Sequence, residues 1–244
     1  MNFLDYSSKP HWSARIQALI EIILISGIVS SLLVSLLFAA TFGRNRLKMI
    51  EMDVGFLTAY LMVESAVTFL FLWILMKERR ETLHTLGLRR RQWKTHVLLG
   101  ILAAPCLIIV SGVAGLTFQV FLPEYALDKN PLIEMIHSPR QFILFILAGI
   151  LAGGVKEELQ RAFILYRFRQ HLGGARIGLV VWSLAFGAGH YAQGIQGMCV
   201  AAILGFVFGV LYLIRGNLIL PISAHAVYNT LTLLIYWFII GGNK

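Results

Sequence analysis

Charge is scarce in this sequence. Asp, Glu, Lys and Arg make up 14% of its 244 residues, against 58% hydrophobic, and the mean hydropathy is +0.75. Soluble domains run near a quarter charged and half apolar, so a water-solvated globule is excluded. Cysteine is nearly absent: Cys106 and Cys199 both lie in apolar runs with no CxxC pair, which excludes a disulfide framework. Both are expected to be small core residues. The six prolines gather in no linker, and there is no low-complexity tract or internal repeat. The expectation is one integral domain over residues 1–244. Three protease signatures are also missing: His-Glu-x-x-His, Gly-x-Ser-x-Gly, and a pair of aspartates within the apolar runs. The net charge of +9 does not point to nucleic acid. The basic residues cluster in short loops beside apolar runs, where they act as topology signals.

What the sequence has in quantity is apolar stretches near the ~20 residues that cross a bilayer. Spans are expected at Ile16–Phe42, Val54–Met76, Val97–Leu122, Phe142–Phe168, 177–191, Met198–Ile214 and Leu218–Ile240. The first is too long for a cleavable signal peptide. The expected fold is all-α: a polytopic transmembrane helical bundle of about seven spans, six to eight being compatible with the runs. Lys77, Arg79, Arg80, Arg89, Arg90, Arg91 and Lys94 mark the loop 77–96 as cytoplasmic. Arg44, Arg46 and Lys48 depart from that alternation. The chain is thus expected in the cell membrane, with the lipid bilayer as its surroundings. Gly149, Gly153, Gly205 and Gly209 fit small-xxx-small contacts and are read as packing.

Several polar residues stand where lipid forbids them. Glu157, Glu158 and Arg161 lie in the fourth run, His190 in the fifth, His225 and Asn229 in the seventh. Counted from the basic residues at the cytoplasmic ends, Glu157 and His225 lie about 15 Å deep and His190 about 21 Å. All fall in the middle of a ~30 Å hydrocarbon core. His225 and Asn229 share a face at i, i+4. Arg161 can pair with either carboxylate, at i, i+4 from Glu157 or i, i+3 from Glu158. One glutamate is then held and the other faces a cavity, where it suits a general base. The residue types fit hydrolysis. They also fit an ion or proton path, a membrane carrier or proton-coupled transporter, or a structural network. Glu64, mid-span, lines the cavity, pairs with a base or is a protonated structural group. Glu21 is expected to reach the interface. Trp182 and Trp237 are expected to anchor there, and Gln193 and Gln196 to be solvated.

The three clusters resemble the signatures of the CAAX protease and bacteriocin-processing family of intramembrane proteases. That family includes the eukaryotic prenyl-protein endopeptidase. Its motifs are Glu-Glu-x-x-x-Arg, Phe-x-x-x-His and His-x-x-x-Asn on successive helices. Phe186 with His190 and His225 with Asn229 match, and the resemblance covers about residues 140–240, the expected catalytic core. The acidic motif departs from the pattern, with two residues between Glu158 and Arg161 where the family has three. Anchored on Arg161, Glu157 takes the place of the second family glutamate and Lys156 that of the first. Anchored on the acidic pair, Arg161 comes one residue early. The resemblance implies an intramembrane endopeptidase acting on membrane-associated proteins or peptides. Glu157 is favoured as base and Glu158 kept; His190, His225 and Asn229 complete the catalytic set, with Arg161 in support. Glu157, His190 and His225 could supply three zinc ligands, and a metal-free glutamate mechanism fits equally. A non-catalytic scaffold of the same family is the alternative within the resemblance.

Overall fold

The start and stop signals of the chain act as local chemistry directs. The computed structural model describes residues 12–43, 53–127 and 130–240. The basic cluster at Arg44, Arg46 and Lys48 lies outside them. The first apolar run forms two helices, α1 (Trp12–Ile25) and α2 (Ile28–Phe42). They meet at a 42° bend. Gly27 makes the bend with φ +92°, a left-handed conformation that glycine adopts without a Cβ penalty. Helix α3 (Val54–Glu78) starts at Asp53, whose carboxylate accepts from the Phe56 N–H at 3.0 Å. Helix α4 (Trp93–Phe121) carries Pro105 internally. After the short α5 (Pro131–Glu134), α6 (Pro139–Ala148) opens with Ser138 accepting from the Gln141 N–H and Pro139 in its first turn.

The fourth apolar run departs most from a simple span. Beyond α6 the backbone widens into a π-helical segment, Gly149–Glu157, before narrowing into α7 (Glu158–His171). Three glycines in this segment weaken the α-helical preference. Gly173 and Gly174, both at positive φ, turn the chain into α8 (Ala175–Gly189). Helix α9 (Gly194–Arg215) begins earlier than the apolar run suggested and ends on Gly216 in the left-handed region. Helix α10 (Ile219–Ile235) closes with a π-helical turn, Tyr236–Ile240.

The described residues are mostly helical and contain no strand. Helices α3, α4 and α10, and the Tyr191–Arg215 stretch containing α9, are long and apolar enough to cross a membrane; the bent α1–α2 pair makes a fifth if counted as one span. Helix α8 is shorter than a span. Their outward faces are apolar: Leu102 is 61% exposed and Ile109 64%. Contiguous exposed apolar surface of this kind suits lipid contact. Cys106 and Cys199 stand on exposed positions, not in the core. At the centre lies α7, buried on every side from Glu158 to Leu165. A helix buried all round is ordinarily apolar; this one carries charge, so each charge needs a partner. Trp182 is likewise buried, 6.4 Å from the Phe186 ring, rather than anchored at an interface. Trp237 stacks on Phe142 at 4.9 Å. Gln196 is not merely solvated: it accepts from the Leu127 N–H at 2.7 Å.

Candidate active site

Among the described residues Glu158 is the most buried charge, with none of its side chain exposed. As an ionised carboxylate it can only accept hydrogen bonds. Arg161, one turn on, donates Nη1 to its Oε1. His225 of α10 approaches the same oxygen with Nδ1 at 2.8 Å. The i, i+3 spacing thus selects Glu158 as the carboxylate that Arg161 holds. Since Glu158 accepts, Nδ1 of His225 carries the hydrogen and Nε2 presents a lone pair. That Nε2 faces Glu157 Oε2 at 3.8 Å. Glu157 retains 20% side-chain exposure, so the two adjacent carboxylates have unlike surroundings.

Aromatic rings fix this arrangement. Phe208 of α9 stacks on the His225 imidazole at 4.3 Å and 16°. The Arg161 guanidinium lies 5.5 Å from the Phe208 ring and 5.0 Å from the Phe186 ring. Cation–π attraction at such separations is worth ~2 kcal/mol when desolvated. The second oxygen of Glu158 and two nitrogens of Arg161 are buried without a hydrogen-bond partner. Each costs about 1–3 kcal/mol, and unsatisfied buried groups of this kind call for a reason.

Asn229, one turn beyond His225, donates Nδ2 to the Gly149 carbonyl at 3.1 Å. It fits because residue 153 is glycine: a Cβ there would collide with Asn229 Nδ2 and stand 3.6 Å from His225 Nε2. At Gly154 a Cβ would meet the Ala226 Cβ at 2.8 Å. The glycines of the π-helical segment therefore frame the site as well as pack it. His190 sits apart from this group. Its Nδ1 donates to the Phe186 carbonyl at 2.8 Å and its ring lies 4.6 Å from the Phe186 ring. That bond leaves Nε2 as an acceptor. Phe186 in turn touches Arg161, so His190 joins the cluster through one ring.

Among the described residues, no group of three His, Cys, Asp or Glu side chains is gathered to hold a metal ion. Glu157, His190 and His225 are therefore not gathered into one ligand set.

Residues 139–231 match the model of the type II CAAX prenyl endopeptidase Rce1-like family. The match covers this segment, which is therefore Rce1-like. No curated protein and no solved structure matches it. The Rce1-like segment opens at Pro139 of α6, contains every member of the cluster just described, and closes two residues after Asn229. The family is one of membrane proteases, in keeping with the apolar helices around the site.

Two side chains outside that segment also reach the π-helical stretch and α7. Glu64 of α3 pairs with Lys156 at 2.5 Å, which settles its three readings in favour of a basic partner. Glu21 does not reach the interface. It is buried, accepts from Arg79 Nε at 2.9 Å, and pairs with Arg167 of α7. Sequence periodicity gave no sign of Phe208, whose type is common in any apolar helix.

Proposed function

We propose that the chain is an intramembrane endopeptidase that hydrolyses peptide bonds of membrane-associated proteins or peptides, with Glu157 as general base. The observation that carries this reading is the His225 imidazole held between two unlike carboxylates. Its Nδ1 is fixed by Glu158 at 2.8 Å and its Nε2 faces Glu157 at 3.8 Å. A water bonded to both Glu157 Oε2 and His225 Nε2 would bridge that separation.

Glu157 takes a proton from that water as its oxygen attacks the scissile carbonyl carbon. The carbonyl becomes an oxyanion. Asn229 Nδ2 has two hydrogens; one is given to Gly149, and the other is available to the oxyanion. Collapse of the tetrahedral intermediate breaks the C–N bond, and Glu157 returns the proton to the leaving amine. Glu158 and Arg161 touch no reacting atom and act by orienting His225. His190, with its Nε2 as an acceptor, is proposed to bind the substrate's amide N–H or the leaving amine. Substrates of the type the family's description names, prenylated CAAX tails, are the first class to test.

The test is cleavage of such membrane-anchored peptides by the protein reconstituted in vesicles. Glu157→Gln is expected to lower kcat by about 10²–10⁴-fold, the usual contribution of general acid–base catalysis. Cleavage by Glu157→Gln at the wild-type rate would sink the assignment. So would flux of a solute across sealed vesicles without any cleavage.

A further inference from the structure

Lys156 precedes Glu157 in the chain, and its side chain is 10% exposed. A lysine there is a hazard to the proposed base. Its four-carbon stem is flexible, and beside it lie two carboxylates, Glu157 and Glu158. An ammonium ion drawn into a salt bridge with Glu157 favours the charged carboxylate and makes it a poorer proton acceptor. Glu158 already has Arg161 as its cation; among the described residues Glu157 has none in contact beyond His225.

The fold supplies a different anion. Glu64 is 2% exposed and holds Lys156 Nζ at 2.5 Å through Oε2. Its other oxygen accepts from Ser30 of α2 at 2.6 Å and from Thr68, one turn along α3, at 3.1 Å. Thr68 Oγ1 also lies 3.0 Å from Ser30 Oγ. So Glu64 is built in place from two helices, with hydroxyls for one oxygen and the ammonium for the other. One turn beyond Lys156, Gln160 donates to the Ile25 carbonyl at 2.6 Å, where the α1–α2 bend interrupts the helical ladder. Lys156 and Gln160 thus share the face turned to α1–α3, while Glu158 and Arg161 face His225 and Phe208.

We infer that Glu64 is a sequestering counter-ion: it keeps the Lys156 ammonium away from Glu157 and so keeps the base free. Glu64 is a positioning residue that acts through Lys156. The inference rests on Glu157 being the base, and it is specific to a chain with lysine at this place. It also predicts an asymmetry that an ordinary structural ion pair lacks. Glu64→Gln frees the lysine to quench the site. Lys156→Met removes the hazard itself and leaves Glu64 with two hydroxyl donors.

Two measurements on the full chain in vesicles test it. A membrane-permeant carbodiimide condenses an amine with a carboxyl it touches, and mass spectrometry locates the link. Wild type is expected to give a 64–156 link, and E64Q a link from Lys156 to Glu157. Absence of the first link, or Lys156 unlinked to Glu157 in E64Q, overturns the inference. This readout needs no substrate, so it fails or succeeds separately from the protease reading. With a cleaved substrate, E64Q is expected to lower kcat by about 100-fold at unchanged KM. K156M is expected to stay within about threefold of wild type and E64Q/K156M to recover to within about tenfold, a strong coupling in a double-mutant cycle. Equal losses in the two single variants overturn it. If E64Q aggregates on size exclusion, E64S, which keeps a hydroxyl toward Ser30 and Thr68, replaces it with the same expectations.

Discussion

On the proposed mechanism, the adjacent glutamates Glu157 and Glu158 divide catalysis from stability. Glu158 has two bonded partners and no exposed surface. Replacing it by Gln leaves Arg161 as an uncompensated buried cation, a defect that costs about 3–5 kcal/mol. Glu157 is partly exposed and its nearest charged partner is 3.8 Å away. Its amide variant is expected to change stability by no more than about 0.5 kcal/mol, as for other substitutions away from buried networks. Thermal unfolding in detergent therefore distinguishes E158Q from E157Q, and equal midpoints would refute the division of roles. This contrast was half visible in the sequence. The spacing showed that Arg161 could reach either carboxylate, but which one depends on helix rotation. The rotation is set by the π-helical segment and by His225 on a helix more than sixty residues away. The partners of Glu21 and Glu64 were hidden for the same reason: each lies on another helix, and no local pattern records it.

Among the elements, the π-helical segment matters most. An α-helical backbone over Gly149–Glu157 would turn Gly153 and Glu157 to other faces, since each residue advances by about 100°. The small residues here admit α10 at close range, and the Gly149 carbonyl gains Asn229 as donor. Substituting Gly153 by Ala is expected to displace the Asn229 amide. The loss of an oxyanion donor lowers kcat by about 10²–10³-fold. Gly112, in α4, is the control: a Cβ there meets nothing within 4 Å. Its Ala variant is expected to be active and slightly stabilised, by ~0.4–1 kcal/mol, through the unfolded chain. Wild-type kcat in G153A would remove Asn229 from the mechanism. Element ends were largely legible, because apolar runs stop where charges and glycines begin. The interior irregularities were not. The α1–α2 bend sits inside an unbroken apolar run, with Gly27 as its one signal. The glycines of the π-helical stretch also fit ordinary close helix packing, so they did not single it out.

At the scale of the whole molecule, α7 is the shared beam between the Rce1-like segment and the helices before it. Lys156 and Gln160 tie its start to α3 and to the α1–α2 bend. Arg167 ties its far end. Its guanidinium reaches Glu21 of α1 through Nε, Glu81 through Nη1 and Nη2 at 2.8 and 2.7 Å, and Gln170 through Nη1 at 3.1 Å. Arg79, at the end of α3, shares Glu21. One guanidinium thus joins α1, the α3–α4 connection and α7, and its side chain is 1% exposed. Replacing Arg167 by Met keeps volume but strands Glu21 and Glu81. The expected loss is about 3–5 kcal/mol, because removing one member of a buried network leaves the others uncompensated. Arg167 is six residues past Arg161, nearly two turns along the helix, so its removal acts on the bundle and not on the chemistry. Unfolding by denaturant or heat in detergent should fall sharply for R167M. At a temperature where R167M is still folded, kcat should stay near wild type. A variant as stable as wild type would show that α1 is held by lipid and apolar packing alone. A folded variant with kcat lost would place this network within the catalytic machinery instead.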